Sequence, residues 1–206
     1  MMEAAALISA FTTLFVIIDP IGLTPLFVAL TQGMSDRKRR SIGLRAALIA
    51  FGILLAFAFG GEALLEFVGI SMPAFRIAGG VLLFLTALDM LFERRQSRRE
   101  DTAEEDESDD PSVFPLAIPL LAGPGAIATI ILLTGRAEGP GDFAAVIGVM
   151  VAVLSIAYLL FLAAGPIERV LGKTGVNVVT RLLGMLLAAL SVQFILDGMR
   201  TFGLAL

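Results

Sequence analysis

The sequence predicts an all-α polytopic membrane protein: six transmembrane helices forming two inverted three-helix repeats, with helices 1 and 4 interrupted near the membrane midplane. Three observations predict it. The 206 residues are 57% hydrophobic and only 17% charged, with a mean hydropathy of +0.91. Apolar runs of roughly 20 residues recur along the chain, each long enough to cross about 30 Å of hydrocarbon. They lack the ten-residue polar/apolar alternation of a membrane β-barrel. Finally, prolines and glycines interrupt the first apolar run of each half, which is the sequence sign of a transporter site built between repeats.

The first span is expected over 4–31. Its middle holds Asp19-Pro20-Ile21-Gly22-Leu23-Thr24-Pro25. Each proline removes a backbone N–H and clashes with the carbonyl four residues back, so the helix should break here. Unwound backbone at membrane depth must be buried in protein or line a polar cavity. An intramembrane carboxylate is costly there and marks a pathway or a site. Asp19 therefore has two open readings: holding a ligand's ammonium or a coupling ion, or only stabilising the break.

Later spans are expected over 40–66, 72–92, 113–134, 142–165 and 175–199. The first connection, Ser35-Asp36-Arg37-Lys38-Arg39-Arg40, is densely basic, and Gly69-Ile70-Ser71-Met72-Pro73 forms the second. Gly43, Ala47, Ala50, Ala56 and Gly60 read as close packing along span two. The third connection opens with Arg94, Arg95, Arg98 and Arg99 and turns acidic from Glu100 to Asp110, the composition of a disordered tether. The organisation expected is thus a first repeat over 1–92, a cytoplasmic linker over 93–112 and a second repeat over 113–206.

Span four carries the second interruption, Pro119-Leu120-Leu121-Ala122-Gly123-Pro124-Gly125. Pro20 and Pro25 are five residues apart, as are Pro119 and Pro124. Half-helices starting near Pro25 and Pro124 would expose N–H groups and positive dipole ends, which suit a carboxylate. Gly22, Gly123 and Gly125 would let a ligand approach the backbone. A second echo joins Arg76-Ile77-Ala78-Gly79 to Arg181-Leu182-Leu183-Gly184, and Leu88-Asp89 to Leu196-Asp197. Arg76, Asp89, Arg181, Gln193 and Asp197 are coupling or gating candidates. Asp19, Pro20, Gly22, Thr24, Pro25, Pro119, Gly123, Pro124 and Gly125 are candidates for substrate binding.

Lys and Arg crowd connections one, three and five, so these are expected in the cytoplasm with both termini outside. Without cysteine or histidine, thiolate chemistry and histidine metal sites are excluded. No metal or cofactor is expected. The N-terminus shows no cleavable signal pattern. No phosphate-binding loop is present, which argues against direct ATP drive. An enzyme is not expected, because no nucleophile–base pair accompanies Asp19.

These blocks resemble the MarC family of inner-membrane proteins, described as neutral amino acid transporter-like. The matching residues are Asp19-Pro20-Ile21-Gly22 with Pro25, Gly69-Ile70-Ser71 with Pro73, and Arg76-Ile77-Ala78-Gly79-Gly80. The second half adds Pro115-Leu116-Ala117, Pro119, Ala122-Gly123-Pro124-Gly125, Arg181-Leu182 with Gly184, and Gln193-Phe194 with Gly198. The resemblance implies transport of small neutral amino acids such as glycine and alanine, driven by a proton or sodium gradient across a bacterial inner membrane. A distant similarity to the lysine-exporter-like superfamily leaves export open, and some members carry Asn where this chain has Asp19. The expected partners are the substrate, the coupling ion and the lipid bilayer, with no nucleic acid. The alternatives are a passive channel or exporter for small metabolites, or a membrane protein without transport activity. Oligomeric state is not legible.

Overall fold

Each helix begins and ends where local chemistry dictates. Ser35 accepts a hydrogen bond from the Lys38 N–H, and Ser71 accepts one from the Ala74 N–H, so the two serines cap helices starting at Asp36 and Met72. Pro73, Pro124 and Pro140 sit in the first turns of their helices, where the missing N–H costs nothing. Gly69 closes the long second span with φ at 80°. There the Ile70 N–H reaches back to the Leu65 carbonyl, a turn that an L-residue with a side chain enters only at a cost.

The computed structural model describes residues 3–92 and 110–203, except the side chains of 167–169, 171 and 173. In chain order the elements are α1 (Ala4–Ile18), α2 (Pro20–Leu30), α3 (Asp36–Val68), α4 (Met72–Leu91), the wide-turned coil α5 (Ser112–Leu121), α6 (Pro124–Thr134), α7 (Pro140–Leu162) and α8 (Ala164–Thr201). No strand occurs among the described residues. Five stretches are long and apolar enough to cross a membrane: Ala4–Leu30, Asp36–Val68, Met72–Leu91, Pro140–Leu162 and Thr174–Thr201. The pair α5 and α6, bent by 55°, makes a sixth if it is one span.

Two expected boundaries move. Arg37 to Arg40 are helical rather than a connection, because the Ser35 cap starts α3 at Asp36 and the long basic side chains stay solvated. The expected fifth connection is helical too, except at Gly172 (φ 59°, ψ 175°), which bends α8. The acidic tether over 93–109 lies outside the described residues.

Burial orders the bundle. In the most apolar window of the first span 61% of residues are buried, against 22–33% in the four other straight candidates, so α1 and α2 run through its centre. Around them the outward faces stay apolar, with Phe59, Phe67, Leu182 and Leu186 exposed, as a lipid-facing surface requires. The most extensive pairing is α4 against α8, and small residues permit it. A Cβ on Gly80 would meet Ile195 at 2.6 Å, one on Gly184 would meet Met90 at 2.9 Å, and one on Gly198 would meet Ile77 at 2.7 Å. The pairing is antiparallel, since 77 faces 198 while 90 faces 184. In α3, Gly43, Ala47 and Ala50 are buried as expected. Ala56 and Gly60 instead face outward, and the glycine at the helix contact is Gly61, whose Cβ would come 2.4 Å from Ile131 on α6.

Ion pairs tie the ends together. Arg45 near the start of α3 pairs with Asp110 just before α5, so connections one and three share a face. Hydrogen bonding from Ser112, then the charges of Arg45 and Lys38, hold the Asp110 carboxyl below the usual carboxylate range. At the other face Arg136, between α6 and α7, pairs with Asp197 near the end of α8 at 2.9 Å.

Candidate functional site

The first break is a single residue wide. Asp19 adopts the left-handed conformation (φ 54°, ψ 62°), which Asp and Asn tolerate better than other side-chain-bearing residues. Its N–H donates to the Phe15 carbonyl and closes α1, while its carbonyl accepts from the Leu23 N–H and opens α2. The Asp19 Oδ1 accepts from the Gly22 N–H at 3.1 Å, so the carboxylate caps the new helix. A Cβ on Gly22 would lie 2.1 Å from Oδ2, which explains the glycine. Thr24 turns its hydroxyl back to the Pro20 carbonyl at 3.0 Å. Asp19 and Thr24 have no exposed surface, and Pro20 and Gly22 are buried with them.

The expectation of a half-helix starting near Pro25 is corrected. The new helix starts at Pro20, whose absent N–H falls among first-turn donors that lack intrahelical partners anyway. Pro25 sits inside α2, where it removes one internal hydrogen bond without ending the helix.

The second break is longer. Phe114 and Ile118, each preceding a proline, leave helical geometry for extended values, as the clash with the proline ring demands. The peptide bonds Phe114–Pro115 and Ile118–Pro119 are cis. Gly123 is extended (φ −80°, ψ 170°), and a Cβ there would lie 2.4 Å from the Pro119 carbonyl. From Pro124 the regular helix α6 begins, with no side chain capping its N-terminus. Pro119 and Pro124 are exposed, whereas Gly123 and Gly125 are half-buried. The equal spacing of the two proline pairs thus hides unequal roles: Pro20 corresponds in position to Pro124, while Pro25 and Pro119 have no matching places.

The two breaks adjoin. A Cβ on Gly125 would touch Ile17 at 3.3 Å, Leu83 at 3.6 Å and the Thr86 hydroxyl at 4.0 Å. The end of α1, the start of α6 and the middle of α4 therefore meet at Ile17, two residues before Asp19 in the chain. The N-terminus of α6 has no side-chain cap, and its dipole favours negative charge.

The other candidates sit at the two ends of the bundle. Asp197 accepts from Arg136 Nη2 at 2.9 Å and from Gln193 Nε2 at 2.8 Å, and the Arg136 guanidinium lies 5.2 Å over the Phe194 ring. Arg76 shares this end and donates from Nη1 to the Thr201 hydroxyl at 3.3 Å. Asp89 and Arg181 lie at the opposite end, since Gly184 packs against Ala87, Met90 and Leu91. Sequence reasoning missed Arg136 and Thr201, whose partners are 61 and 125 residues away. It also missed Phe27 and Phe161, whose buried rings stack 4.5 Å apart. Nothing in local pattern pairs such residues; only the antiparallel folding does.

A family model for the MarC family integral membrane proteins matches residues 4–202. The chain belongs to this family. It is 38% identical to a UPF0056 membrane protein of Methanocaldococcus jannaschii, over 97% of this chain and 98% of that one. The UPF0056 membrane protein YvbG of Bacillus subtilis is 38% identical over 97% and 96% of the two chains. The UPF0056 inner membrane protein YhgN of Escherichia coli is 34% identical over 94% and 96%. No solved structure matches. This MarC chain is thus an integral membrane protein, and it matches these relatives over nearly the whole length of both chains.

Proposed function

We propose that the protein is a secondary active transporter of small neutral amino acids, of the glycine and alanine class, coupled to a proton or cation gradient. The observation that carries this reading is the meeting of two helix breaks at Ile17, two residues along the chain from the buried carboxylate of Asp19. Membrane proteins tolerate such breaks only where they are buried in protein or line a cavity, and an intramembrane carboxylate is costly enough to point to a site. In this reading Asp19 binds the amine or the coupling ion, the N-terminal ends of α2 and α6 hold the carboxylate, and the site lies near the midplane.

Two inverted three-helix repeats supply the moving parts. Residues 20 and 124, where α2 and α6 begin, are 104 apart, as are residues 36 and 140, where α3 and α7 begin. Arg76 and Arg181 are 105 apart, at opposite ends of an antiparallel pair. These spacings support a duplication and alternating access about the breaks. The membrane is a bacterial inner membrane, with odd connections in the cytoplasm. The reading includes neither an enzyme activity nor a cofactor.

A second reading has its own observation: the Asp19 carboxylate already caps Gly22, so it also serves a protein in which the break is structural and nothing is carried. Counterflow separates the two. Vesicles holding the purified protein and loaded with unlabelled glycine should transiently concentrate external labelled glycine. Simple equilibration would mean a channel, and no movement of label would favour the structural reading.

A further inference from the structure

A cavity of about 200 Å³ opens at the predicted cytoplasmic end, between the end of α2, the start of α3 and the end of α7. Its walls include Asp36, Arg39 and Arg40, and its floor is formed by Phe27 and Phe161. The two rings stack with planes 6° apart, and neither is more than 2% exposed. Phe27 belongs to α2, the helix that begins beside Asp19, and eight residues of helix span about 12 Å. One turn further in lie Leu23 and Thr24, both wholly buried. The cavity and the Asp19 break are thus stacked along one helix, with the ring pair between them.

We propose that this cavity is a second solute site, an entry vestibule that binds small zwitterions and is shut off from the Asp19 break by the Phe27–Phe161 pair. The chemistry of the walls names the ligand. Two guanidinium groups suit a carboxylate. The carboxylate of Asp36 suits an ammonium group and disfavours a purely anionic guest. The aromatic floor accepts a short apolar side chain, and the volume limits the guest to a small molecule. The Arg39 guanidinium lies 5.9 Å over the Phe27 ring, so a bound carboxylate pulls on the residue that covers the floor. The role as an entry to a transport site rests on the transporter reading; the binding itself does not.

The absence of cysteine makes the test clean, because one introduced thiol reports one place. In vesicles containing purified Leu162→Cys, whose new thiol lines the cavity, L-alanine should slow maleimide labelling. At about three times its Kd the slowing should be about fourfold by mass action. Acetate and methylammonium should protect less than alanine, and Gln32→Cys, outside the cavity on the same face, should be unaffected. Protection should vanish with Arg39→Gln/Arg40→Gln and return in part with Arg39→Lys/Arg40→Lys, which checks that the double variant is folded. For the floor, Thr24→Cys should be unlabelled alone and labelled when combined with Phe161→Ala. The proposal is overturned if alanine leaves the Leu162→Cys rate unchanged, or if acetate protects as well as alanine. It is also overturned if protection follows phosphatidylglycerol content rather than alanine, or if Thr24→Cys stays closed in the Phe161→Ala background. Glycine counterflow in the same vesicles separates the failures. Protection without counterflow removes the transport role alone, and counterflow without protection removes the vestibule alone.

Discussion

Asp19 performs two tasks that different substitutions separate. Its left-handed backbone costs a residue such as Ala roughly 1–2 kcal/mol, and loss of the cap to Gly22 costs about 0.5–2 kcal/mol. Asp19→Ala should therefore lower unfolding stability by about 1.5–4 kcal/mol, whereas Asp19→Asn, which keeps an acceptor and tolerates the backbone, should cost less than about 1 kcal/mol. Thermal unfolding in detergent checks this, and equal losses would show that the cap is not what holds the break. Gly22→Ala should behave like the Ala variant at Asp19, because its methyl group displaces the carboxylate; an unchanged melting temperature would contradict the geometry. The existence of a break was legible from Pro20, Gly22 and Pro25, but its location was not. Proline marks where a helix is weakened, and only the capping bond from Gly22 decides that the chain turns at Asp19 rather than six residues later.

Helix contacts divide the glycines of α3 by what lies opposite. Gly60 faces open space, so Gly60→Ala should stabilise α3 by up to about 1 kcal/mol through helix propensity. Gly61→Ala should instead destabilise, since its methyl group would meet Ile131 on α6 at 2.4 Å. Parallel melting curves of the two variants test the pair, and the same sign in both would contradict the packing. Hydropathy located the spans to within a few residues because lipid demands apolar length, whereas the start of α3 at Asp36 was missed because the basic run reads as a connection. Which glycine of two neighbours meets a partner helix depends on rotation about the axis. Residues 46–61 of α3 are apolar all round and carry no polar face to fix that rotation. The echo of Arg76-Ile77-Ala78-Gly79 in Arg181-Leu182-Leu183-Gly184 reads as a sign of duplication; that α4 packs on α8 is visible only in the structure. The ion pair of Arg136 with Asp197 was not legible, since it joins residues far apart in sequence.

Alternation of the spans gives the protein two ends of different character. Arg45 with Asp110, and the cavity framed by Asp36, Arg39 and Arg40, mark one end. Arg136 with Asp197, and Arg76 with Thr201, mark the other. Single thiols at Gln32 and Glu138, both exposed, should accordingly react from opposite sides of the membrane. With the basic end in the cytoplasm, a membrane-impermeant reagent applied to intact cells should label Glu138→Cys and spare Gln32→Cys. Labelling of both would break the topology, and the reverse pattern would invert the orientation. Between these ends Asp19 is sealed, Phe27 and Phe161 lie toward one side, and the Arg136–Asp197 pair lies toward the other. Under the proposed transporter reading, a carboxylate buried between the two ends would correspond to the occluded stage of an alternating-access cycle.

Uptake of radiolabelled glycine and alanine into vesicles containing the purified protein, with and without an imposed proton or sodium gradient, tests transport itself. Saturable accumulation that needs the gradient, and that Asp19→Asn abolishes or uncouples from it, is the expected result. Uptake by neither amino acid under any gradient would contradict the transporter reading, as would a wild-type response in the Asp19→Asn variant contradict the role given to the buried carboxylate.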